Sequence, residues 1–385
     1  MEHLINKRVK HIQMSGIRKF FNLVSDIPNV ISLTIGQPDF PTPNHIKLAA
    51  KQAIDDNFTS YTHNGGFFEL REAAASYLDK KYGLKYSPEN EVIVTVGASE
   101  AIDITFRTIL EEGCEVILPA PIYPGYEPII QLCGGKIKYL DTRDSNFKVT
   151  AEKIEELLTD QTRCIVLPYP SNPTGVSLKK EELMKIAQVL KGRDVFVVAD
   201  EIYSELTYET RHESIASILR EQTIVINGLS KSHSMTGWRI GFVFGPEPVM
   251  KHMIKVHQYN VTCASSISQK AAYAALTTGI DDALVMREQY LQRRNYVYER
   301  LKTMGLKTVL PDGAFYFFVK IPVEGISSLD FCLQLVNEAK VAVVPGSSFS
   351  IYGEGYFRLS YAYSMDILKE GLDRIEKFVQ KNQSF

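Results

Sequence analysis

The chain has 385 residues, 45% apolar and 23% charged, with a formal charge of −2 at pH 7; it is long enough for two domains and a large core, and its field is too weak to gather nucleic acid. No run approaches the ~20 apolar residues of a membrane span, and the basic Met1 to Phe20 stretch lacks an apolar core of signal-peptide length, so a cytoplasmic protein with small-molecule or protein partners is expected. Cys114, Cys133, Cys164, Cys263 and Cys332 lie far apart and the histidines show no clustered spacing, so buried free thiols are expected, without a disulfide framework or a metal site.

In chain order, the opening segment with "NVISLTIGQPDFPTP" is expected to join a smaller domain built mainly from the C-terminal part. Between about residue 90 and about residue 245, short apolar runs alternate with helical periodicity, the signature of βαβ units around a mostly parallel sheet. The runs "EVIVTVG", "EVILPA", "CIVLPYP", "VFVVAD", "TIVING" and "GFVFG" read as strands. They are almost wholly apolar, as expected when helices cover both faces of a sheet. "SEAIDITFRTILEEG" and "KKEELMKIAQVLKGR" space their apolar residues three and four apart and stop near glycine, so they read as amphipathic helices. From about residue 246 a helical tract runs through "DDALVMREQYLQRRNYVYERLKTMG" into strand-like "GAFYFFVK", "VAVVPG" and "YFRLSYA" and a last helix, "DILKEGLDRIEKFVQKN". That order suits an α+β domain. The predicted fold class is α/β: a large domain over 46–280 with a mostly parallel sheet between helices, and a smaller α+β domain from 1–45 and 281–385.

In an open α/β sheet, ligands bind beyond the carboxyl ends of the strands, so the residues that follow the runs are the ones to examine. "VIVTVGASEA" turns from strand to helix at Gly97-Ala98-Ser99, offering backbone N–H groups and a positive dipole end to a phosphate, although taken alone the stretch reads first as a plain turn with Ser99 as helix cap. "CIVLPYPSNPTG" holds Asn172 rigidly between two prolines. "VFVVADEIY" ends in Asp200, a carboxylate at the mouth of a buried strand that needs a cation or a cap, followed by Tyr203. After "TIVING" come Ser230, Lys231 and then Arg239; alone, Lys231 reads as a solvated surface charge. Together these ends assemble a phosphate cup, an amide, an acid, a phenol and a lysine.

A cofactor with a phosphate, a basic ring nitrogen and an aldehyde fits them all, which is pyridoxal 5′-phosphate. Lys231 would condense with the aldehyde, and Asp200 would keep the ring nitrogen protonated so that the ring accepts electrons. Asn172 and Tyr203 would donate to the phenolic oxygen. Arg239, Ser230 and the N–H groups around Ala98 and Ser99 would hold the phosphate.

On these residues the chain resembles the fold-type I, class I/II aminotransferases over nearly its whole length. "GLSKSHSMTGWRIG" matches that family's lysine motif, and "YPSNPTG", "DEIY" and "YTHNGGFFELR" are similar to its other signatures, in the expected order. The resemblance implies a seven-stranded sheet and amino transfer between an L-amino acid and a 2-oxo acid such as 2-oxoglutarate, with Lys231 as proton carrier. It further implies that Tyr123 stacks on the cofactor ring and that Arg358 binds the substrate α-carboxylate, helped by the backbone of Gly36. It also implies a homodimer in which Tyr61 reaches the phosphate of the neighbouring subunit.

Two departures are visible. The family often has serine where this chain has Gly228, so Ser230 or Ser232 is expected to compensate. Aspartate-using relatives place a lysine where this chain has Ser99, so aspartate is expected to be a poor donor. Within the family the chain is similar to the subgroup acting on N-acetyl-LL-diaminopimelate in lysine biosynthesis, or on aromatic amino acids. "MSGIRKFFNL" resembles the substrate-covering segment, and Arg18 and Lys19 beside Phe20 and Phe21 would suit a long substrate with a distal carboxylate, or an aromatic one. A C–S lyase on the same fold would use the same lysine and aspartate. A cofactor-sensing regulator would need a DNA-binding module for which the first residues leave no room.

Overall fold

The computed structural model describes residues 1–382. A short strand β1 (Ile31–Ser32) precedes the main sheet, which contains β2 (Val92–Thr95), β3 (Glu115–Ala120), β4 (Lys136–Asp141), β5 (Thr162–Leu167), β6 (Phe196–Asp200), β7 (Thr223–Gly228) and β8 (Gly241–Phe244). Their order is β2-β8-β7-β6-β5-β3-β4. The strands from β7 to β4 in that order run parallel, and β8 lies antiparallel between β7 and β2. This is the mostly parallel α/β sheet that the apolar runs predict.

Alternate residues of one strand enter different cores, which is why the runs are apolar throughout. Val225 of β7 packs into a core with Ile186 and Leu190 of the helix Lys180–Leu190, whereas Ile224 and Ile226 face Phe106 and Ile109 of the helix Gly97–Ile109. All four strand residues Val197, Ile224, Val225 and Ile226 are 0% exposed, each burial being worth about 1.5–3 kcal/mol of transfer free energy. Polar residues at alternate positions would expose one face of the sheet to water.

β4 is not among the predicted strands. It lies at the sheet edge and mixes Lys136 and Lys138 with Ile137 and Leu140, so no apolar run marks it. Beyond the sheet come β9 (Tyr316–Lys320), β10 (Val341–Ala342), β11 (Val344–Pro345) and β12 (Tyr356–Ser360). β11, β12 and β9 form an antiparallel sheet with β12 in the middle, while β10 pairs in parallel with β1. The expected single strand "VAVVPG" is thus two short strands in different sheets. Phe20, Val24 and Leu33 pack with Tyr290, Phe315 and Phe357 in one core, so the N-terminal segment folds against the C-terminal elements.

Two expectations are corrected here. Phe20 is 2% exposed and belongs to that core; only its neighbour Phe21 faces outward. Cys133 and Cys263 are half-buried, because Cys133 caps the surface end of the helix Tyr126–Leu132 and Cys263 follows the exposed end of the helix Glu247–Val261. Among the described residues no helix is long and apolar enough to cross a membrane.

Candidate active site

The carboxyl ends of β5, β6 and β7 face β12 across a cavity of about 840 Å³, closed on one side by the helix Gly16–Val24. The site residues that the sequence singles out line it, from Arg18 and Gly36 through Ala98, Ser99, Tyr123 and Asn172 to Arg358, whereas Tyr61, Ser232 and Lys19 do not. Tyr61 is 84% exposed.

Register delivers the acid and the lysine to the same place. Asp200 pairs with Ile226 on the parallel neighbour β7, and that strand ends at Gly228, just before Lys231. Burial pushes the Asp200 carboxyl above its usual range, opposed by the Tyr126 hydroxyl, which donates at 2.6 Å, by the Ile202 N–H at 3.2 Å, and by Lys231. Burial first, then the positive charges of Arg358 and Arg239, lower the Lys231 ammonium to about 8, with Asp200 opposing the shift. The amine donates to the Gly36 carbonyl and sits 5.8 Å from the centre of the Tyr203 ring. A lysine in this setting is neutral in a substantial fraction near pH 8 and can take up a proton.

The opposite end of the cavity is an anion cup. The backbone turns into the helix Gly97–Ile109 through Gly97, at φ 75°, so its first N–H groups open into the cavity beside Ala98 and Ser99. A Cβ at Gly97 would lie 2.6 Å from Arg239 Nη2, so glycine is required for the guanidinium to approach the turn. Arg239 itself adopts φ 52° and is braced by its bond to the Thr236 carbonyl at 3.0 Å. The departure at Gly228 has a steric reason: a Cβ there would meet the Gly241 Cα and the Ile240 carbonyl at 3.2 Å. Of the two candidate substitutes, Ser230 lines the cavity, whereas Ser232 is turned into the core and bonds His233 Nδ1 at 2.8 Å.

Arg358 comes from the central strand of the other sheet and is 2% exposed. Its Nη1 donates to Asn172 Oδ1 at 2.9 Å and its Nη2 to the Thr34 carbonyl at 2.6 Å, while Nε has no partner among the described residues. The guanidinium lies 4.4 Å from the Tyr316 ring centre, and the Tyr316 and Tyr203 hydroxyls are bonded at 2.8 Å. Burial raises both phenols, so they remain protonated donors. The sequence missed Tyr126, Tyr316 and Thr34. Tyr126 stands close to Tyr123 in "PAPIYPGY" and could have been found by asking what donates to Asp200; Tyr316 and Thr34 carry no local signal.

The cavity fits pyridoxal 5′-phosphate on its own chemistry. Among the described residues Asp200 is a buried carboxylate without a cation in contact, Lys231 is a buried amine in the same cavity, and the Gly97 turn leaves a cradle that any side chain would fill. Residues 28–375 match the family of class I and II aminotransferases, and the chain belongs to it, a family of pyridoxal 5′-phosphate-dependent transaminases. Over 383 residues it is 64% identical to the probable N-acetyl-LL-diaminopimelate aminotransferase of Bacillus subtilis, covering 100% of this chain and 98% of that protein. The aspartate aminotransferase of Pyrococcus abyssi is 41% identical over 385 residues, with 98% and 99% covered. The crystal structure of the aromatic aminotransferase from Pyrococcus horikoshii OT3 superposes with a TM-score of 0.89 at 41% identity, covering 95% of this chain and 99% of that one.

Proposed function

We propose that this transaminase takes the amino group of N-acetyl-LL-diaminopimelate or passes one to its oxo form, with glutamate and 2-oxoglutarate as the other pair. When bound, the cofactor supplies an electron-accepting ring that lets the substrate Cα–H bond break. Arg358 binds the α-carboxylate through its free N–H groups, and Asn172 fixes the guanidinium. Lys231 Nζ would take the proton from the substrate Cα and hold it for return, acting as the site's acid–base group. Asp200 holds a proton on the ring nitrogen, and Tyr203 donates to the phenolic oxygen. Arg239, Ser230 and the Ala98–Ser99 turn would hold the phosphate, and Tyr123, at the cavity wall, would pack against the ring. In this reading the protein works in the cytoplasm, and 46–280 and the remainder act as two domains that meet at the cavity.

The substrate assignment rests on one observation: Arg18 lines the cavity mouth and, among the described residues, its side chain has no hydrogen bond or ion pair. Lys19 is not at the mouth and approaches Gln13. The name of the Bacillus relative supports the same substrate. A long acidic substrate would place its distal carboxylate against Arg18. Assayed over a panel of donors against 2-oxoglutarate, Arg18→Ala is expected to cut kcat/KM for N-acetyl-LL-diaminopimelate about 10- to 100-fold, the worth of one charge-assisted hydrogen bond, and to spare glutamate. Unchanged preference in that variant, or aspartate matching the best donor, would sink the assignment. Ile17, Phe21 and Ile35 line the same mouth and favour an aromatic donor as the second reading, which the same panel separates.

The enzyme is further read as a homodimer. Tyr61 at 84% exposure and Tyr259 at 86% are large aromatic side chains left in solvent by the single subunit, which suits an interface that delivers Tyr61 to the neighbour's phosphate. Tyr61→Phe is expected to weaken cofactor affinity by about 1.5–3 kcal/mol, one bond to a charged group. A fully active monomer in sedimentation at assay concentration rules this out.

A further inference from the structure

Outside the cavity lies a buried polar chain that the reaction does not use. His257, on the helix Glu247–Val261, is 0% exposed. Its Nε2 is 2.8 Å from the Asn64 carbonyl, and its Nδ1 is 2.7 Å from Glu100 Oε1. The other carboxylate oxygen of Glu100 accepts the N–H of Val96, the residue that precedes the helix Gly97–Ile109.

Hydrogen-bond chemistry constrains this chain. A carbonyl only accepts, so Nε2 must carry a proton; two lone pairs cannot bond each other, so one further proton lies between Nδ1 and Glu100 Oε1, on the ring or on the carboxyl. The ring and the carboxylate together hold one proton more than a neutral histidine beside a carboxylate. Removing either side chain alone leaves a buried donor or acceptor unmet, which is costly away from water.

What the chain joins gives it meaning. At one end is the Val96–Ser99 turn, which forms the anion cup. At the other is the segment around Asn64, just after Tyr61, whose neighbouring residues are pinned from the same side: Gln269, 0% exposed, accepts from the Phe67 N–H at 2.7 Å and donates to Thr62 Oγ1 at 3.1 Å, and the Val94 N–H donates to the Gly65 carbonyl at 3.0 Å. We propose that Glu100 and His257 are positioning residues that set the anion-cup turn and the Tyr61 segment as one unit, and so fix how tightly the cofactor's phosphate is held. This rests on the phosphate reading given above.

The full-length protein, freed of cofactor, is titrated by absorbance with pyridoxal 5′-phosphate and, separately, with pyridoxal, which lacks the phosphate. Glu100→Leu combined with His257→Leu removes both partners without leaving a buried charge, and is expected to weaken pyridoxal 5′-phosphate about tenfold or more while pyridoxal changes less than about twofold. Glu100→Gln keeps both bonds, its oxygen accepting from Val96 and its amide donating to Nδ1, and is expected to restore the affinity to within about twofold. A double variant that binds pyridoxal 5′-phosphate as the parent does, or that loses both ligands in parallel, overturns the proposal. If the double variant does not fold, His257→Asn, too short to span both partners, takes its place in the two titrations, and the same results support or overturn the proposal. Arg239→Leu separates the two ideas: if it fails to distinguish the ligands, the phosphate reading is at fault and not the buried chain.

Discussion

Lys231→Ala is expected to lower turnover by about 10²–10⁴-fold, the usual worth of a positioned acid–base group, and to abolish covalent attachment of the cofactor. The reason is the state of the amine. Burial and the nearby cations Arg358 and Arg239 hold it at about 8, so near that pH it is neutral often enough to accept a proton, and the Gly36 carbonyl aims it into the cavity. A surface lysine, near 10.4, would be almost wholly protonated and useless as a base. Borohydride reduction of the holoenzyme followed by peptide mass spectrometry should place the adduct on Lys231 alone; an adduct on another lysine, or a variant with parental turnover, refutes the role. A second arm reads the same amine without chemistry. In the unfolded chain the lysine keeps its proton up to about 10.4, whereas the folded, cofactor-free protein gives it up from about 8. Between those values the unfolded state binds more protons, so this group's contribution to stability rises with pH across that window. Denaturant midpoints of the cofactor-free parent should therefore gain on those of Lys231→Ala from pH 8 to about 10, and a constant difference would show an unshifted amine.

The sheet was legible because its strands are buried on both faces: "TIVING" and "VFVVAD" cannot be solvent-exposed loops. β4 escaped because an edge strand with Lys136 and Lys138 looks like any polar segment, and the division of "VAVVPG" into β10 and β11 escaped because a two-residue strand has no period to read. The same division runs through the site. Asp200, Lys231 and Asn172 were visible because each follows a run, where the fold rule places ligands, and Arg239 because it stands between the lysine and the next run. Tyr316 and Thr34 were not, because their roles arise from contacts across 113 and 324 residues, and a tyrosine within "GAFYFFVK" is indistinguishable from core. Ser232 shows the limit from the other side: spacing could not tell it from Ser230, and only the helical turn Leu229–Ser232 decides which hydroxyl faces the cavity.

Arg358→Leu is expected to cost about 10²–10³-fold in kcat/KM for amino donors and oxo acceptors alike, with cofactor affinity largely kept. Removing one partner of a buried, hydrogen-bonded charge pair typically costs about 2–5 kcal/mol, and here the partner left buried and unpaired would be the substrate's own carboxylate. The geometry supports a two-point grip. Nη1 and Nη2 each spend one N–H, on Asn172 and Thr34, and each keeps another, while Nε keeps its single one. The rings of Tyr316 at 4.4 Å and Phe349 at 4.9 Å hold the fork in its plane, so little entropy is lost when a carboxylate docks. Burial lowers the guanidinium below its usual value, yet arginine starts so high that the charge stays. Arg358→Lys separates charge from shape: the ammonium keeps the charge but cannot bond Asn172, Thr34 and a carboxylate in one plane, so it should recover only part of the loss. Single-turnover half-reactions with glutamate and with 2-oxoglutarate, read beside thermal melts to exclude a folding defect, measure both variants. A leucine variant whose KM for 2-oxoglutarate stays within about twofold of the parent would mean that another residue reads the α-carboxylate, since no uncharged side chain at this position could replace two charge-assisted bonds worth about 1.5–3 kcal/mol each.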